Sequence, residues 1–534
     1  MATKYCRADG VATWADATSA AAAATSCTLA TAVDNVAAGD TVYISGLGGV
    51  YRTTLRPTTS GTDGSVISYI GSDTPVLSGA NLVTGWEVYS GSVYRASFVY
   101  EQWVTEEPTQ VFIDGTFGDP QTSTGACVNE YDWFWDADYL YLYAPGDPDT
   151  EYTSPGVEAC TRFQACTFDN YDYLLFDGLT FKYTIQNGFE AWHSSNITVQ
   201  NCIAEWNYHD GIAFYADSSS YSDFLVDSNT VRYNGIQGIV ILGEATSGLI
   251  KRNDVYGNIV YQRGGTPFQW GGGIKCFGHD TLSWIDGVVI EQNKVHDNGY
   301  DYGPDNRGDG IWLDATGTTT PNVIRHNLVY DNVASGLHIE RAMDSAVYGN
   351  VIYGNGGDGG TSWPTAGIRI VGTDTFAKDV DGTLVYNNTI TGNSIGIYSG
   401  GDSTSQVVNT VIKNNIISGN TAQELYCAAG ADNDTTNGSG NVYEQNCLGA
   451  EGSNFIYWNG NISTYDAFIS ASSQTDNNIE SDPTFTDSDN DDYTHAAGST
   501  AIGAGVNLGA SYDDGLLPTS TWPDGVLTAD RDDY

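Results

Sequence analysis

The sequence predicts an all-β chain folded as a β-solenoid, and three observations support this prediction. One phrase, Asn followed by four residues and a second Asn around an apolar centre, recurs eight times between residues 229 and 446. Successive copies lie 23 to 40 residues apart, which is the period of a solenoid. The composition, with 63 Gly and many Asn, Asp, Ser and Thr residues, suits short strands joined by tight turns.

The repeated phrase also predicts how the coils hold together. Each coil buries its apolar side by stacking on its neighbours, so the Asn side chains are expected to align and hydrogen-bond from coil to coil. Outward side chains at one aligned position should lie about 4.8 Å apart along the axis. The eight copies begin at Asn229, Asn253, Asn293, Asn327, Asn350, Asn388, Asn415 and Asn441, and a looser copy runs from Asn201 to Asn207.

The charge of the chain limits its partners. The formal net charge is −46, from 66 acidic and 20 basic residues. A surface this acidic repels nucleic acid and anionic membranes, so neither is an expected partner. The sequence has no long apolar run, and no membrane span is predicted. No basic and apolar leader follows Met1, so no signal peptide is expected in this sequence.

The nine cysteines show no C-x-x-C spacing, so a zinc site is not expected. Three pairs are close enough in sequence to form local disulfides in an extracellular protein: Cys6 with Cys27, Cys160 with Cys166, and Cys427 with Cys447.

Four segments are predicted along the chain. Residues 1–45 form an N-terminal cap, in which the Ala-rich stretch 16–36 is predicted to be a helix that covers the first coil. Residues 46–160 contain early coils with an inserted hairpin, and residues 161–447 form the regular solenoid. Residues 448–534 lose the repeat and form a polar C-terminal cap.

These features resemble the right-handed parallel β-helix, or pectin-lyase-like, superfamily. The resemblance is carried by the Asn phrases, by Gly-Ile strands between them, by Gly39-Asp-Thr-Val-Tyr43 near the start and by Asp482-Pro-Thr-Phe485 near the end. It implies a right-handed parallel β-helix over nearly the whole chain. The superfamily includes lyases, hydrolases, epimerases, viral tailspikes and adhesins, so the fold alone does not select an activity.

A second phrase, Gly followed mostly by Ile, starts one strand of each coil. Strand alternation points the first and third residues after the Gly inward, and the second and fourth outward. The second-position row reads Ala213, Val240, Lys275, Trp312, His338, Arg369 and Tyr398. The fourth-position row reads Tyr215, Leu242, Phe277, Asp314, Glu340 and Val371. Polar chemistry is therefore concentrated on a few consecutive coils.

Asp314 and Glu340 take the same position on adjacent coils, which predicts carboxyl groups roughly 5 Å apart. Two carboxylates about 5 to 5.5 Å apart are the arrangement of retaining glycosidases. Their closeness raises the pKa of one of them, as a general acid requires near neutral pH. The alternatives are a charge ladder neutralised by His338 and Arg341, and a cation site.

Long loops flank these coils. The links from 258 to 273, from 298 to 310 and from 355 to 367 are longer than the others. They carry the aromatic residues Phe268, Trp270, Tyr300, Tyr302 and Trp363. We expect a glycan-binding cleft lined by Trp270, Tyr302 and Trp363 together with Lys275, Trp312, His338 and Arg369. The alternative is that the loop aromatics pack against the body of the solenoid.

The strand Gly310-Ile-Trp-Leu-Asp314, followed 26 residues later by Glu340, resembles the active-site pattern of β-helix glycoside hydrolases of the β-xylosidase type. The resemblance implies that Asp314 is the nucleophile and Glu340 the acid/base. The expected function is therefore that of an extracellular, retaining glycoside hydrolase that acts on a poly- or oligosaccharide without a required cofactor.

Two other functions remain open. A polysaccharide lyase would use Lys275 or Arg369 as the base, with Ca²⁺ held by Asp301, Asp305 or Asp309. A tailspike or adhesin would bind a glycan receptor, as a homotrimer if borne on a virion, whereas a secreted enzyme is expected to be a monomer.

The segment Asp487-Ser-Asp-Asn-Asp491 has alternating carboxylates like the start of a Ca²⁺ loop. A structural Ca²⁺ on Asp487, Asp489 and Asp491 is one interpretation, and a solvated cap loop is the other.

Overall fold

The computed structural model describes residues 1–530, except 99–107, 218, 260–269, 279–283, 300–307, 318, 357–363, 373–378, 402–404, 429–430, 432–437, 454, 459, 472–474 and 476. Three long parallel sheets dominate the described part of the chain, with 13, 10 and 12 strands. Each coil contributes one strand to each sheet in a fixed order, which makes the chain a parallel β-helix.

We name the three sheets in the order in which a coil visits them. The first sheet contains Thr3–Arg7, Thr41–Ser45, Ile67–Ser72, Leu174–Asp177, Ile197–Gln200, Tyr221–Asp227, Ala245–Lys251, Asp286–Glu291, Val323–Arg325, Ala346–Tyr348, Leu384–Tyr386, Val411–Lys413 and Val442–Glu444. The second sheet contains Val76–Ser78, Thr180–Lys182, Ile203–Glu205, Thr230–Arg232, Asp254–Tyr256, Lys294–His296, Leu328–Tyr330, Val351–Tyr353, Thr389–Thr391 and Ile416–Ile417. The site sheet contains Cys166–Asp169, Phe189–Trp192, Ile212–Tyr215, Ile239–Leu242, Gly272–Phe277, Asp309–Asp314, Leu337–Glu340, Ala366–Val371, Ile395–Gly400, Gln423–Cys427, Ile456–Trp458 and Asn461–Ile462.

The core is a stack of apolar side chains that follows the helix axis. Ile274, Ile311 and Leu337, the first residues after successive Gly positions, are fully buried and lie in register on adjacent strands. Burial of each such side chain contributes about 1.5 to 3 kcal/mol. The Gly positions themselves allow coils to approach closely. A Cβ atom on Gly310 would lie 2.5 Å from the backbone oxygen of Gly336, so no larger residue fits there.

The predicted Asn ladders are confirmed. In a typical rung, Asn293 Nδ2 donates to Asn327 Oδ1 on the next coil at 3.0 Å and to the Ile250 carbonyl on the previous coil at 2.9 Å. Asn293 Oδ1 accepts the backbone N–H of Asn253. These side chains are buried, and they satisfy backbone groups that the turns between sheets leave unpaired.

The eighth copy of the phrase is out of the predicted register. Asn446, its second Asn, continues the ladder of first positions, because Asn415 Nδ2 donates to Asn446 Oδ1. Its first residue, Asn441, instead accepts from the backbone of Thr410. The looser copy is also displaced, since Cys202 donates its backbone N–H to Asn229 where an Asn was expected.

The N-terminal segment is less helical than predicted. Its α-helix, Leu29–Asn35, is short, and Thr28 Oγ1 caps it by accepting the Thr31 N–H at 3.1 Å. The remainder of the Ala-rich stretch is irregular apart from the 3₁₀ turn Ala23–Thr25. Strand Thr3–Arg7 starts the first sheet by pairing with Thr41–Ser45.

The insertion within residues 46–160 is larger than a hairpin. It has a core of its own around Trp133 and two additional sheets. One sheet contains Glu87–Ser90, Val93–Ser97, Asp119–Pro120, Asp132–Trp135 and Tyr139–Tyr143, and the other Ala80–Val83, Val111–Ile113, Thr116–Phe117 and Val157–Cys160. The helical elements nearby are Gly46–Gly48, Thr124–Ala126 and Pro148–Glu151.

The C-terminal segment covers the last coil and then returns along the side of the β-helix. Helix Tyr465–Ala471 buries Phe468 against Trp458. The chain then contacts successively earlier coils, through Val506 with Asn414, Tyr512 with Asn387, Asp514 with His326 and Trp522 with Gln292. The short elements of the C-terminal segment are Phe485–Asp487, Ser488–Asn490, Asp492–His495, Asp514–Leu516 and Thr528–Asp530. A further two-stranded sheet outside this segment pairs Val380–Asp381 with Val407–Val408.

All nine cysteines are buried free thiols. Only the first predicted pair is close, with the Sγ atoms of Cys6 and Cys27 at 3.3 Å. The other two predicted disulfides are wrong in this structure: Cys160 and Cys166 belong to different apolar clusters, as do Cys427 and Cys447. No helix of the described residues is long and apolar enough to span a membrane.

Candidate functional site

The strands of the site sheet bring the predicted polar residues together. Lys275 pairs with Trp312, Trp312 with His338, and His338 with Arg369 on successive strands, as the alignment on Gly predicts. In the fourth-position row, Asp314 pairs in the same way with Glu340. The two rows therefore place six of the predicted site side chains on one face of four adjacent coils.

Both carboxyl groups are more buried than outward-facing positions suggest. Asp314 is 4% exposed, and the Glu340 side chain is 12% exposed. Strand alternation correctly predicts that the two side chains point away from the core. Neighbouring side chains nevertheless cover both carboxyl groups. The expectation of solvent-exposed carboxylates is therefore wrong, and the two groups belong to a network of buried charges.

Two cations hold Asp314. Arg341 donates to Asp314 Oδ1 from Nε at 3.0 Å and also from Nη2, and Lys275 Nζ lies 3.4 Å from Oδ2. Burial raises the pKa of Asp314 above its ordinary value, and the negative charge of Glu340 acts in the same direction. Lys275 and Arg341 oppose this rise.

Lys275 lies between the carboxylates and an aromatic ring. Its Nζ is 3.4 Å from the centroid of the Trp312 ring and donates to the Trp270 carbonyl at 3.3 Å. Burial lowers the pKa of Lys275, while Asp314 and Glu340 act to raise it. A cation held by a ring face and a carboxylate is fixed in position, which suits a group that orients a substrate.

His338 is fixed by partners at both ring nitrogens. Arg369 Nη1 lies 2.8 Å from Nε2, and Asp309 Oδ2 lies 3.1 Å from Nδ1. Because an Arg can only donate, Nε2 must accept, and the network assigns the ring proton to Nδ1. Glu340 Oε2 lies 3.6 Å from Nε2. The imidazole thus connects Glu340 to Arg369 and Asp309.

Asp309, which the lyase alternative assigns as a Ca²⁺ ligand, belongs to this network through its contact with His338. It precedes the Gly of its strand, and its Oδ1 accepts the Ser335 N–H of the next coil at 2.9 Å. Burial acts to raise the pKa of Asp309, but His338 and Arg369 outweigh it and hold the pKa below its ordinary value. In the sequence, Asp309 could have been identified by its position directly before the Gly of a Gly phrase.

The aromatic residues of the predicted cleft are found only in part. The Trp312 ring stacks on His338 with centroids 4.6 Å apart, and Trp270 is 47% exposed with its ring 6.3 Å from Trp312. Tyr302 and Trp363 lie outside the described residues. Within the described part of the chain, Trp312 Nε1 has no hydrogen-bond partner, so a buried donor remains in the site.

A further buried carboxyl group lies on the same sheet, nearer the N-terminus. Asp210 accepts the Tyr215 hydroxyl at 2.6 Å and the Gln237 N–H at 2.9 Å. Burial raises the pKa of Asp210 to about 6 in spite of these hydrogen bonds, and the charge of Glu190 adds to the rise.

The segment 487–491, for which a Ca²⁺ site was one of two interpretations, has a mixed conformation in this structure. Asp487 ends a strand, Asp489 lies in a 3₁₀ turn and Asp491 adopts a left-handed conformation. The three carboxylates do not gather into a group able to hold a metal ion; no such group of three or more His, Cys, Asp or Glu side chains occurs among the residues described.

Comparison with known proteins identifies the architecture. Two family profiles match parts of the chain: periplasmic copper-binding protein (NosD) over residues 182–376, and right handed beta helix region over residues 287–482. No curated protein matches the chain by sequence.

Two solved structures are similar over most of the chain. The complex of XylC with xylose has 14% identity and a TM-score of 0.51, over 88% of this chain and 79% of that chain. A structure titled as a glycoside hydrolase has 13% identity and a TM-score of 0.52, over 84% of this chain and 97% of that chain. At these identities the similarity shows the fold alone. Together with the three parallel sheets, these matches show that the chain has the right-handed parallel β-helix fold.

Proposed function

We propose that the chain is a carbohydrate-active enzyme and that its site sheet carries a retaining glycoside hydrolase site. The observation that carries the proposal is the in-register pairing of Asp314 with Glu340, with Lys275, Arg341 and His338 in contact with the two carboxyl groups. Adjacent strands at one aligned position separate carboxyl groups by roughly 5 Å, which is the spacing of retaining enzymes.

The contacts support different roles for the two carboxyl groups. Arg341 holds Asp314 through Oδ1, and we assign Oδ2, which lies 3.4 Å from Lys275 Nζ, as the attacking atom. Attack of Oδ2 on the anomeric carbon breaks the glycosidic bond while Glu340 gives its proton to the departing oxygen. Water then attacks the glycosyl ester, and Glu340 takes the proton of that water. Asp314 leaves as a free carboxylate, so atoms and protons balance.

The surrounding residues would bind and orient the sugar. Lys275 and Arg369 offer charged donors beside the carboxyl pair, and the exposed ring of Trp270 offers an apolar face. The stacked rings of Trp312 and His338 form the floor of the proposed sugar-binding site. Of the two similar structures, one is a complex with xylose and the other is a glycoside hydrolase, which is consistent with a sugar as the substrate.

We also propose a location outside the cytoplasm, in keeping with the periplasmic family that matches residues 182–376. The copper binding in that family's name does not fit this site. Its donor atoms pair with cations, Asp314 with Lys275 and Arg341, and His338 with Arg369.

A panel of neutral and acidic polysaccharides tests the proposal with two readouts. New reducing ends without ultraviolet absorbance by an unsaturated sugar would indicate hydrolysis. The matched control is Glu340→Gln, which should release no reducing ends from the same substrate. Absence of cleavage throughout the panel would contradict an enzymatic function.

One observation favours a second candidate, a polysaccharide lyase. Burial lowers the pKa of Lys275, and a lysine with a lowered pKa can accept a proton near neutral pH. In that case the unsaturated product would absorb in the ultraviolet, and Lys275 rather than Glu340 would be essential. The chain's net charge of −46 makes an anionic polymer the less favourable substrate.

A further inference from the structure

The returning C-terminal segment forms a cleft of about 700 Å³ against the second sheet. Its floor is formed by the ends of strands Leu328–Tyr330 and Val351–Tyr353, and its walls by residues 487–494 and 516–522. This cleft lies on a different sheet from the carboxyl pair. Its volume is within the range of pockets that bind small organic ligands.

The floor of the cleft presents phenol groups in a rigid ladder. The Tyr330 ring stacks between His296 and Tyr353, with centroids 4.7 and 4.9 Å apart and rings within 3° of parallel. Both ring faces of Tyr330 are therefore covered by neighbours. Tyr330 and Tyr353 both line the cleft, and among the described residues no hydrogen bond is found for either hydroxyl.

The walls carry acceptors. Asp487, Asp491 and Asp492 line the cleft, and Lys294 supplies an ammonium group. Lys294 Nζ lies 3.9 Å from Asp254 Oδ1, so part of its charge is already balanced. Carboxylates accept hydrogen bonds from hydroxyl groups, and phenols both accept from and donate to them, whereas this lining repels anions.

We propose that this cleft binds an uncharged oligosaccharide, as a second glycan-binding site separate from the carboxyl pair. Carboxylate oxygens of Asp491 and Asp492 accept hydrogen bonds from sugar hydroxyls, and the hydroxyls of Tyr330 and Tyr353 bond to sugar oxygens from below. Such a site would hold a polymer on the protein whether or not the site sheet cleaves it. The proposal does not depend on hydrolysis by Asp314 and Glu340.

The test is a calorimetric titration with uncharged xylo-, gluco-, manno- and galacto-oligosaccharides. Glu340→Gln serves as the parent protein, so that the ligands stay intact. A cleft variant adds Tyr330→Phe, Tyr353→Phe and Asp491→Asn, which remove two hydroxyl groups and one carboxylate charge with little change of shape. A second variant, the row variant, instead adds Trp312→Ala, a change in the second-position row of the site sheet, to the parent. Tyr89→Phe, a change at an exposed tyrosine in the N-terminal insertion, is the matched control.

We expect at least one oligosaccharide to bind the parent, and the cleft variant to bind it at least about tenfold more weakly, since hydrogen bonds to charged groups are lost. The row variant and the control should retain this binding. Unfolding temperatures check that the cleft variant is folded. Three outcomes would each overturn the proposal. The cleft variant could keep the affinity and stoichiometry of the parent, or no uncharged oligosaccharide could bind. The third is that only a cationic oligosaccharide such as chitosan binds.

Discussion

Arg341 donates two hydrogen bonds to a single oxygen, Oδ1, of Asp314, and both side chains are buried. The guanidinium comes from the residue directly after Glu340, so the strand that supplies one carboxyl group also supplies the cation that holds the other. This contact fixes the position of Asp314. Replacing Asp314 is therefore expected to change both the activity and the stability of the protein.

The first prediction concerns activity. Asp314→Asn and Glu340→Gln should each lower kcat on a cleaved glycan by about 10²- to 10⁴-fold, because each removes a group that acts in the transition state. Initial rates of reducing-end release measure this effect. Added azide should restore turnover in Asp314→Asn, since an external anion can take the place of the missing nucleophile.

The control for this prediction is Glu291→Gln, which breaks an ion pair with Arg325 on the first sheet. It should leave kcat unchanged. If the two site variants keep full activity, the carboxyl pair is structural and the proposed function is wrong.

The second prediction concerns stereochemistry. Carboxyl groups on neighbouring coils leave little room for a water molecule between the acid and the sugar, so the first product should keep its anomeric configuration. Proton NMR in the first minutes of reaction identifies the anomer. Inversion would require a carboxyl separation beyond about 6.5 Å and another acid as the partner of Asp314.

The third prediction concerns stability. Asp314→Asn should lower the free energy of unfolding by about 3 kcal/mol or more, because it leaves Lys275 and Arg341 buried without a carboxylate. Urea unfolding measures this loss. Glu340→Gln should cost less, since the Glu340 side chain is more exposed. A double variant that adds Arg341→Met should recover part of the loss, and strictly additive losses would show that the pair is not coupled.

The fourth prediction concerns the Asn ladder. Asn293→Ala should destabilise the protein by about 3 kcal/mol or more, because it removes several hydrogen bonds and leaves buried backbone groups unpaired. Asn35→Ala is the matched control, since Asn35 is exposed and bonds only to the Thr31 carbonyl. Equal effects of the two substitutions would contradict the structural role of the ladder.

The fifth prediction concerns pH. The pKa of Asp210 is raised to about 6 in the folded protein, so the folded state holds this proton more tightly than the unfolded state. Stability from this group is therefore present below pH 4 and is lost as pH rises towards 6, by up to about 3 kcal/mol. Asp210→Asn should remove this dependence. The difference in unfolding free energy between the two proteins should change between pH 4 and 6, and a constant difference would show that Asp210 has an ordinary pKa.

The sequence by itself determined the fold and the alignment of its coils. Stacked coils repeat the same environments, so the Asn phrase and the Gly phrase specify the register through hydrogen bonds and close approach. For this reason the pairing of Asp314 with Glu340 could be predicted from positions after a Gly. The register of the eighth Asn phrase was predicted wrongly, because there the ladder continues through its second Asn.

Tertiary structure decided what surrounds the carboxyl pair. Burial of Asp314, the pairing with Arg341, and the hydrogen bonds of His338 to Asp309 and Arg369 depend on side-chain directions and on neighbouring coils, which strand alternation does not specify. The returning C-terminal segment and its cleft likewise depend on contacts up to 230 residues apart, such as that of Trp522 with Gln292. A repeating pattern encodes local register, whereas contacts outside the repeat have no periodic signal in the sequence.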